Sequence, residues 1–419
     1  EDLVDIINNL MEYNVETLSK NPIVEEMKKV YEAKEEFVKE KFKEIKPEDR
    51  MVTKEEYDKV VEKIKKNNKD VYKDFILSGE KFKEALFEVI NKIIMKGEVT
   101  ERMKVTYLTK IWKRKGSKMD IKNNRFVHEK NWIPKLIEKL VVSKIEKKIR
   151  MNIDDIQIGG VPNKGGRDHI MKCVLSMKEY ERKKKPLVFC LIDIKKCFDK
   201  IKLSDMIFEA LNIGCNVSVI KYINDLSKET IIKMRGMGRD DIQRIVMDTT
   251  GQGTDFAVIM ISYAMGKAIR DFVGEYGFRD SIMIDGKEVE PLVFMDDVNA
   301  ISESWEAAKN QGLKISKSLD YLSLEANEEK TTIIVMGKGI EAKKLREKFK
   351  KEPIKVQNKE IGIRDIDTYL GFKISEKGLM DSIRKTFETR YEKAWASMMG
   401  IKKLIKNPAV QMNGYIKSG

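Results

Sequence analysis

The chain has 419 residues, 36% of them charged, with 82 Lys+Arg against 68 Asp+Glu and a formal net charge of +14. At 42% hydrophobic it can bury a core, so composition excludes a disordered or fibrous protein and points to one large protein of several subdomains or to two or three packed units. The basic excess points to a polyanionic partner, and equally to Lys/Glu helices that are merely well solvated.

Other classes fall away quickly. No run of eighteen apolar residues and no signal peptide is visible, so no membrane partner is expected. His128 and His169 are the only histidines, too few for a histidine-based catalytic or metal constellation. Cys173, Cys190, Cys197 and Cys215 form no CxxC pair and lie in or beside apolar segments. They read as reduced core residues of an intracellular protein, without a zinc site. The chain begins at Glu1 rather than Met and reads as a fragment.

In chain order, residues 1–100 have helical apolar spacing, as in 5–11 and 23–30, and Thr53-Lys54-Glu55-Glu56 is a capped helix start. From 101 the texture changes. Residues 105–112 predict a strand, Lys113-Arg114-Lys115-Gly116 a basic turn, and Pro134 opens a helix to about 149. The loop 159–167 precedes another helix. Residues 187–194 predict a strand buried on both faces, and 203–212 a helix. Residues 229–234 and 242–248 read as a hairpin around Arg235-Gly236-Met237-Gly238, followed by a helix at 255–273. Asp285-Gly286 is a hairpin turn leading into a strand at 289–294, which returns over 298–301. A helix at 303–320, a strand at 331–336, a hairpin around Asn358-Lys359 and a helical stretch after 377 complete the chain.

Two places carry chemistry. Asp296-Asp297 falls at or beside the tight turn between the strands at 289–294 and 298–301, and Asp193 ends the apolar strand about a hundred residues upstream. Adjacent acids at a turn repel each other and disfavour the bare fold, a cost that divalent cations would offset. Three such carboxylates suit a two-metal nucleotidyl-transfer site. Alone, Asp193 reads better as a plain strand-terminating or helix-capping residue.

Asp193-Ile194-Lys195-Lys196-Cys197-Phe198-Asp199 and Phe294-Met295-Asp296-Asp297 resemble motifs A and C of reverse transcriptases, and most closely those of the non-LTR (LINE-like) retrotransposon branch. Gly159-Gly160-Val161-Pro162 with Arg167-Asp168-His169 is similar to that branch's glycine-rich segment. Lys113-Arg114-Lys115-Gly116 and Asn123-Asn124-Arg125-Phe126 look like fingers motifs 1 and 2. Gly251-Gln252-Gly253 looks like motif B, Asn327-Glu328-Glu329-Lys330-Thr331 like motif D, and Tyr369-Leu370-Gly371 like motif E, the primer grip. The motifs stand in family order over about 100–376. Two departures stand out: Thr254-Asp255-Phe256 lacks the proline usual after motif B, and Met295 replaces the usual Ala or Val before the acid pair.

The resemblance implies an α+β right-hand polymerase. A helical extension covers 1–100, fingers 101–190, a palm with an antiparallel sheet 191–376, and the start of a thumb 377–419. It implies that Asp193, Asp296 and Asp297 bind two Mg²⁺ ions (Mn²⁺ as substitute), and that Lys330 is the general acid for the leaving pyrophosphate. Lys113 and Arg125 would neutralise the triphosphate, Phe198 would exclude a 2′-hydroxyl, and Gln252 and Gly253 would meet the nascent base pair. Implied partners are an RNA template, a DNA primer or target DNA, and dNTPs. Phosphate contacts would be salt-dependent, and the run from Glu179 to Lys185 is one basic surface available for them. RNA-dependent RNA polymerases have a similar site but place an Asp where Phe198 stands, and here the second acid is Asp199, one residue later. The alternatives are such an RNA polymerase or a domesticated, non-catalytic binding protein. No endonuclease motif is visible, and an endonuclease domain is expected, if at all, on another part of the protein. The location implied is intracellular, and nuclear for a eukaryotic element.

Overall fold

The computed structural model describes residues 22–66, 79–113, 116–120, 123–234, 243–246, 254–274 and 280–405. The expectations for 5–11, 114–115, 235–238, 251–253 and the end of the last helix lie outside the described residues. Helices lead the chain: α1 (Pro22–Lys41), α2 (Lys54–Lys66) and α3 (Glu80–Lys96). Thr53 starts α2 through a reciprocal capping box. The Glu56 N–H donates to Thr53 Oγ1 at 3.2 Å, and the Thr53 N–H donates to Glu56 Oε2 at 2.8 Å. α3 stops at Gly97, whose φ of 70° turns its N–H back onto the carbonyls of Ile93 and Ile94.

β1 (Val105–Trp112) has the bounds its sequence predicts, and β2 (Asn124–Lys130) pairs with it antiparallel. α4 (Trp132–Met151) starts two residues before Pro134, which sits in the first turn, where a missing N–H costs nothing. After α5 (Gly166–Arg182) comes β3 (Leu187–Ile192), buried at every residue. α6 (Leu203–Asn212) and α7 (Val217–Ser227) lead to the hairpin of β4 (Thr230–Met234) and β5 (Gln243–Val246). β4 then pairs parallel with β1, giving a sheet of order β2-β1-β4-β5 that joins chain on both sides of residue 190.

α8 (Asp255–Gly274) is followed by the short hairpin β6 (Met283–Ile284) and β7 (Lys287–Glu288) around Asp285-Gly286, both at positive φ as this dipeptide favours. β8 (Leu292–Phe294) and β9 (Asp297–Ser302) form the next hairpin. α9 (Trp305–Tyr321), β10 (Thr332–Met336) and α10 (Ile340–Lys351) follow. β11 (Lys355–Val356) and β12 (Lys359–Glu360) turn at Gln357-Asn358, one residue earlier than expected, because both of these take the left-handed φ. β13 (Gly362–Ile363), the hairpin β14 (Ile366–Tyr369) and β15 (Phe372–Ser375), and the long α11 (Leu379–Ile405) close the described chain.

The central sheet has the order β13-β10-β3-β9-β8, with β3 antiparallel to both neighbours. Alternation along β3 explains its unbroken apolar sequence. Val188, Cys190 and Ile192 face a large core built with α2, α3, α4, α6, α7, α8 and α9. Leu187, Phe189 and Leu191 face a second core formed by α5 and the β14–β15 hairpin. The four cysteines are buried, and none is in a disulfide. Among the described residues, no helix is long and apolar enough to cross a membrane.

Candidate active site

The central sheet carries the acids. Ile192 stands opposite Val298, and one more step of that antiparallel register brings Asp193, just past β3, level with Asp297 at the head of β9. Phe294 pairs with Asp297, so the residues of the β8–β9 turn are Met295 and Asp296. Met295 takes φ +55° while Asp296 keeps a negative φ. Positive φ at the first turn position is glycine's preference, and a side chain there costs on the order of 1–3 kcal/mol unless its surroundings enforce it.

The three acids feel one another. Burial, opposed by a backbone hydrogen bond, raises the Asp296 carboxyl above the usual carboxylate range; the charge of Asp193 raises it further, while Lys330 and Arg125 pull it down. Asp297 is pushed up to about 6, first by burial and then by the charges of Asp296 and Asp193, with Lys330 opposing. Lys113 is lowered by burial and by the nearby cations Lys330, Arg125 and Lys196, with Asp193 opposing. Lys113, Arg125 and Lys330 thus bring positive charge close to the acids from separate stretches of chain.

Asp193 is held by the segment after α9. The Asn327 N–H donates to the Asp193 carbonyl at 2.7 Å, and Asn327 Nδ2 donates to Asp193 Oδ2 at 2.9 Å. Lys330 Nζ reaches the same oxygen at 3.1 Å from a largely exposed position. Glu325, drawn into ion pairs with Lys195, Lys200 and Lys359, ties this strip to the loop after Asp193. Among the described residues, no three His, Cys, Asp or Glu side chains converge tightly enough to hold a metal ion, and Asp193 Oδ2 is turned to Lys330 and Asn327 instead. The donor set still suits a divalent cation chemically, being all carboxylate, part-buried and mutually repelling.

Phe198 lies in the single helical turn Cys197–Lys200, part-buried against the larger core. Arg125 is exposed on β2, opposite Ile111. Gln252 and Gly253 lie outside the described residues. Tyr369, Leu370 and Gly371 form the tip of the β14–β15 hairpin, with Leu370 and Gly371 at positive φ. Tyr369 points inward: its hydroxyl donates to the Leu292 carbonyl at 3.0 Å and lies 3.0 Å from His169 Nδ1. Burial lowers His169 to about 4, so the ring is neutral; with the Tyr369 hydrogen given to the Leu292 carbonyl, His169 Nδ1–H donates to the Tyr369 oxygen. In the basic run that ends α5, Arg182 and Lys183 both turn back onto Glu179, as at a solvated helix end.

Sequence reasoning missed Gln157 and Ser262, which contact the acid turn. Gln157 is fully buried. Its Oε1 accepts the N–H groups of Met295 (2.9 Å) and Gly159 (2.7 Å), and its Nε2 donates to the Met295 carbonyl at 3.0 Å. The proximity of Gln157 to Gly159-Gly160 was visible, but nothing local distinguishes a glutamine that will be buried.

A largely antiparallel sheet carrying acids at a strand end and an adjoining turn, flanked by helices and with cationic side chains close by, defines a right-hand polymerase. The family model described as reverse transcriptase (RNA-dependent DNA polymerase) matches residues 113–374, and the chain belongs to that family. Its members are nucleotidyltransferases. No curated protein matches the sequence. Solved structures similar to the chain include the apo telomerase of Candida tropicalis truncated from its C-terminal domain, at 14% identity and TM-score 0.43, covering 66% of this chain and 54% of that one. Another is the Candida albicans telomerase in complex with a TWJ fragment of telomeric RNA, at 9% identity and TM-score 0.44, covering 69% and 48%. The chain spans about half the length of these structures.

Proposed function

We propose that this chain extends a DNA primer on an RNA template, with Asp193, Asp296 and Asp297 as the carboxylates that hold two Mg²⁺ ions, Mn²⁺ substituting. The observation that supports this most is the sheet register that sets Asp193 beside Asp297, with the charges of Lys113, Arg125 and Lys330 close to the acids. When bound, the ions would supply the charge that activates the primer 3′-hydroxyl and stabilises the leaving pyrophosphate. Lys113 and Arg125 bind the triphosphate; Arg suits phosphate through its fork of donors. Lys330, within reach of the site, gives a proton to the pyrophosphate oxygen. Phe198 excludes the 2′-hydroxyl, and Gln252 and Gly253 lie against the nascent pair. The Tyr369-Leu370-Gly371 tip grips the primer, its Tyr369 serving as the inward anchor.

Fingers at 101–190, palm at 191–376, and a thumb beginning at 377 behind a helical extension fit this reading. The order of motifs supports the non-LTR branch, and with it target-primed reverse transcription by an intracellular, for a eukaryotic element nuclear, protein.

Primer extension tests the reading. The chain should incorporate dNTPs on an RNA template. The Asp296→Ala/Asp297→Ala variant should lose extension and keep nucleic-acid binding in a mobility-shift assay. A preference for rNTPs would overturn DNA synthesis, and binding without extension by the unmutated chain would favour a non-catalytic role. For the branch, the chain should extend the 3′ end of a nicked duplex on an RNA that does not pair with it.

A further inference from the structure

We infer that Gln157 is the positioning residue of the acid turn: its amide locks Met295 in the left-handed conformation and so fixes where Asp296 and Asp297 stand. The inference rests on the reading of these two aspartates as metal ligands.

Three observations carry it. The first is how the amide is used. Gln157 is fully buried, and it binds both main-chain groups of Met295, accepting from its N–H at 2.9 Å and donating to its carbonyl at 3.0 Å. A side-chain amide thus serves as the main-chain partner of Met295 just past the end of β8. The Gly159 N–H, donating to Oε1 at 2.7 Å, steadies the amide itself.

The second is the backbone around Gln157. The Val293 N–H donates to the Ile156 carbonyl and the Ile158 N–H to the Val293 carbonyl, each at 3.1 Å, so residues 156–158 run beside β8 as a short parallel strip. A Cβ on Gly159 would lie 2.2 Å from the Met295 nitrogen and 2.9 Å from the Phe294 carbonyl carbon, so only glycine lets this strip press on the turn. Buried Ser262 closes the far side, its Oγ 2.8 Å from the Gly159 carbonyl and 3.2 Å from Met295 Sδ.

The third is the conformation being held. Met295 sits at φ +55°, in a turn position that favours glycine. Such a conformation persists when its neighbours over-determine it. The amide, the Gly159 backbone and Ser262 do so, and the adjacent Asp296 inherits the result. The departure at Met295 is thereby accounted for: the long side chain reaches the Gly160–Ser262 wall and adds to the lock.

The test uses the full chain with Gln157→Ala and Gln157→Glu, read by single-turnover extension and by Mn²⁺ binding in EPR titrations. Glutamate keeps the shape and the two acceptor contacts and loses the donation to the Met295 carbonyl. Gln157→Ala should lower both the extension rate and Mn²⁺ affinity by about 10–100-fold, with the dNTP KM and primer–template affinity little changed, and Gln157→Glu should fall between it and the unmutated chain. Asp154→Asn is the control. Asp154 anchors the same stretch through Arg270, at 2.7 Å to each carboxylate oxygen, so its loss should lower stability and leave Mn²⁺ affinity unchanged. If Gln157→Ala does not fold, Gln157→Glu decides. The inference is overturned if the folded variants bind Mn²⁺ as tightly as the unmutated chain, or lose affinity no more selectively than Asp154→Asn. An unmutated chain that neither binds Mn²⁺ nor extends a primer sinks the functional reading instead.

Discussion

Replacing Asp297 by Asn removes a charge that the fold holds at a disadvantage. Burial, then the charges of Asp296 and Asp193, raise this carboxyl from 3.8 to about 6. A rise of that size corresponds to about 3 kcal/mol. The carboxylate keeps part of its surface in water, and screening brings the figure to about 1–2 kcal/mol. The folded protein holds the Asp297 proton more tightly than the unfolded chain does. The penalty is therefore absent below about pH 4, grows as pH rises to about 6, and is constant above. At about 2.1 cal/mol/K per residue, unfolding all 419 residues gains on the order of 0.9 kcal/mol/K, so Asp297→Asn should raise Tm by about 1–2 °C at pH 7.5. Scanning calorimetry without divalent ions, at pH 7.5 and pH 4, measures this directly. Added Mg²⁺ should stabilise the unmutated chain by mass action and the variant less. A variant no more stable at pH 7.5, or a gain of equal size at pH 4, refutes the reasoning.

Lys330→Ala should cut the extension rate while moving stability by less than about 1 kcal/mol in urea denaturation, since its pair with Asp193 is largely exposed. Tyr369→Phe takes the donor from the Leu292 carbonyl and the partner from His169 Nδ1, and should cost about 1–3 kcal/mol by the same measurement. Glu138→Leu removes the carboxylate that meets Lys130 Nζ at 3.0 Å in a buried pair and accepts the Asp255 N–H at 3.1 Å, and should destabilise by about 3–5 kcal/mol, with β2 losing hydrogen-exchange protection first. Unchanged exchange across 124–130 would show that the pair does not hold β2 to α4.

Local rules made much of the fold legible. Eight residues of strand propensity gave β1 its bounds, and the Asp285-Gly286 turn and the Thr53 capping box appeared as their residue types require. The acid turn was legible too, though it centres on Met295-Asp296 and leaves Asp297 in the returning strand. The Gln357-Asn358 turn was misjudged by one residue because neighbouring residues were equally suited to it.

What the sequence determined by itself was the set of elements and the acids at their ends, because strand alternation, helix periodicity and turn chemistry act over a few residues. Only the tertiary structure decided which distant pieces meet. The parallel pairing of β4 with β1 spans more than a hundred residues of chain, and no local pattern encodes it. The hold of Gln157 on Met295, the inward turn of Tyr369 and the grasp of Lys330 on Asp193 are likewise contacts between polar groups far apart in the chain. A polar side chain shows its partner only after packing has removed the water that would otherwise satisfy it.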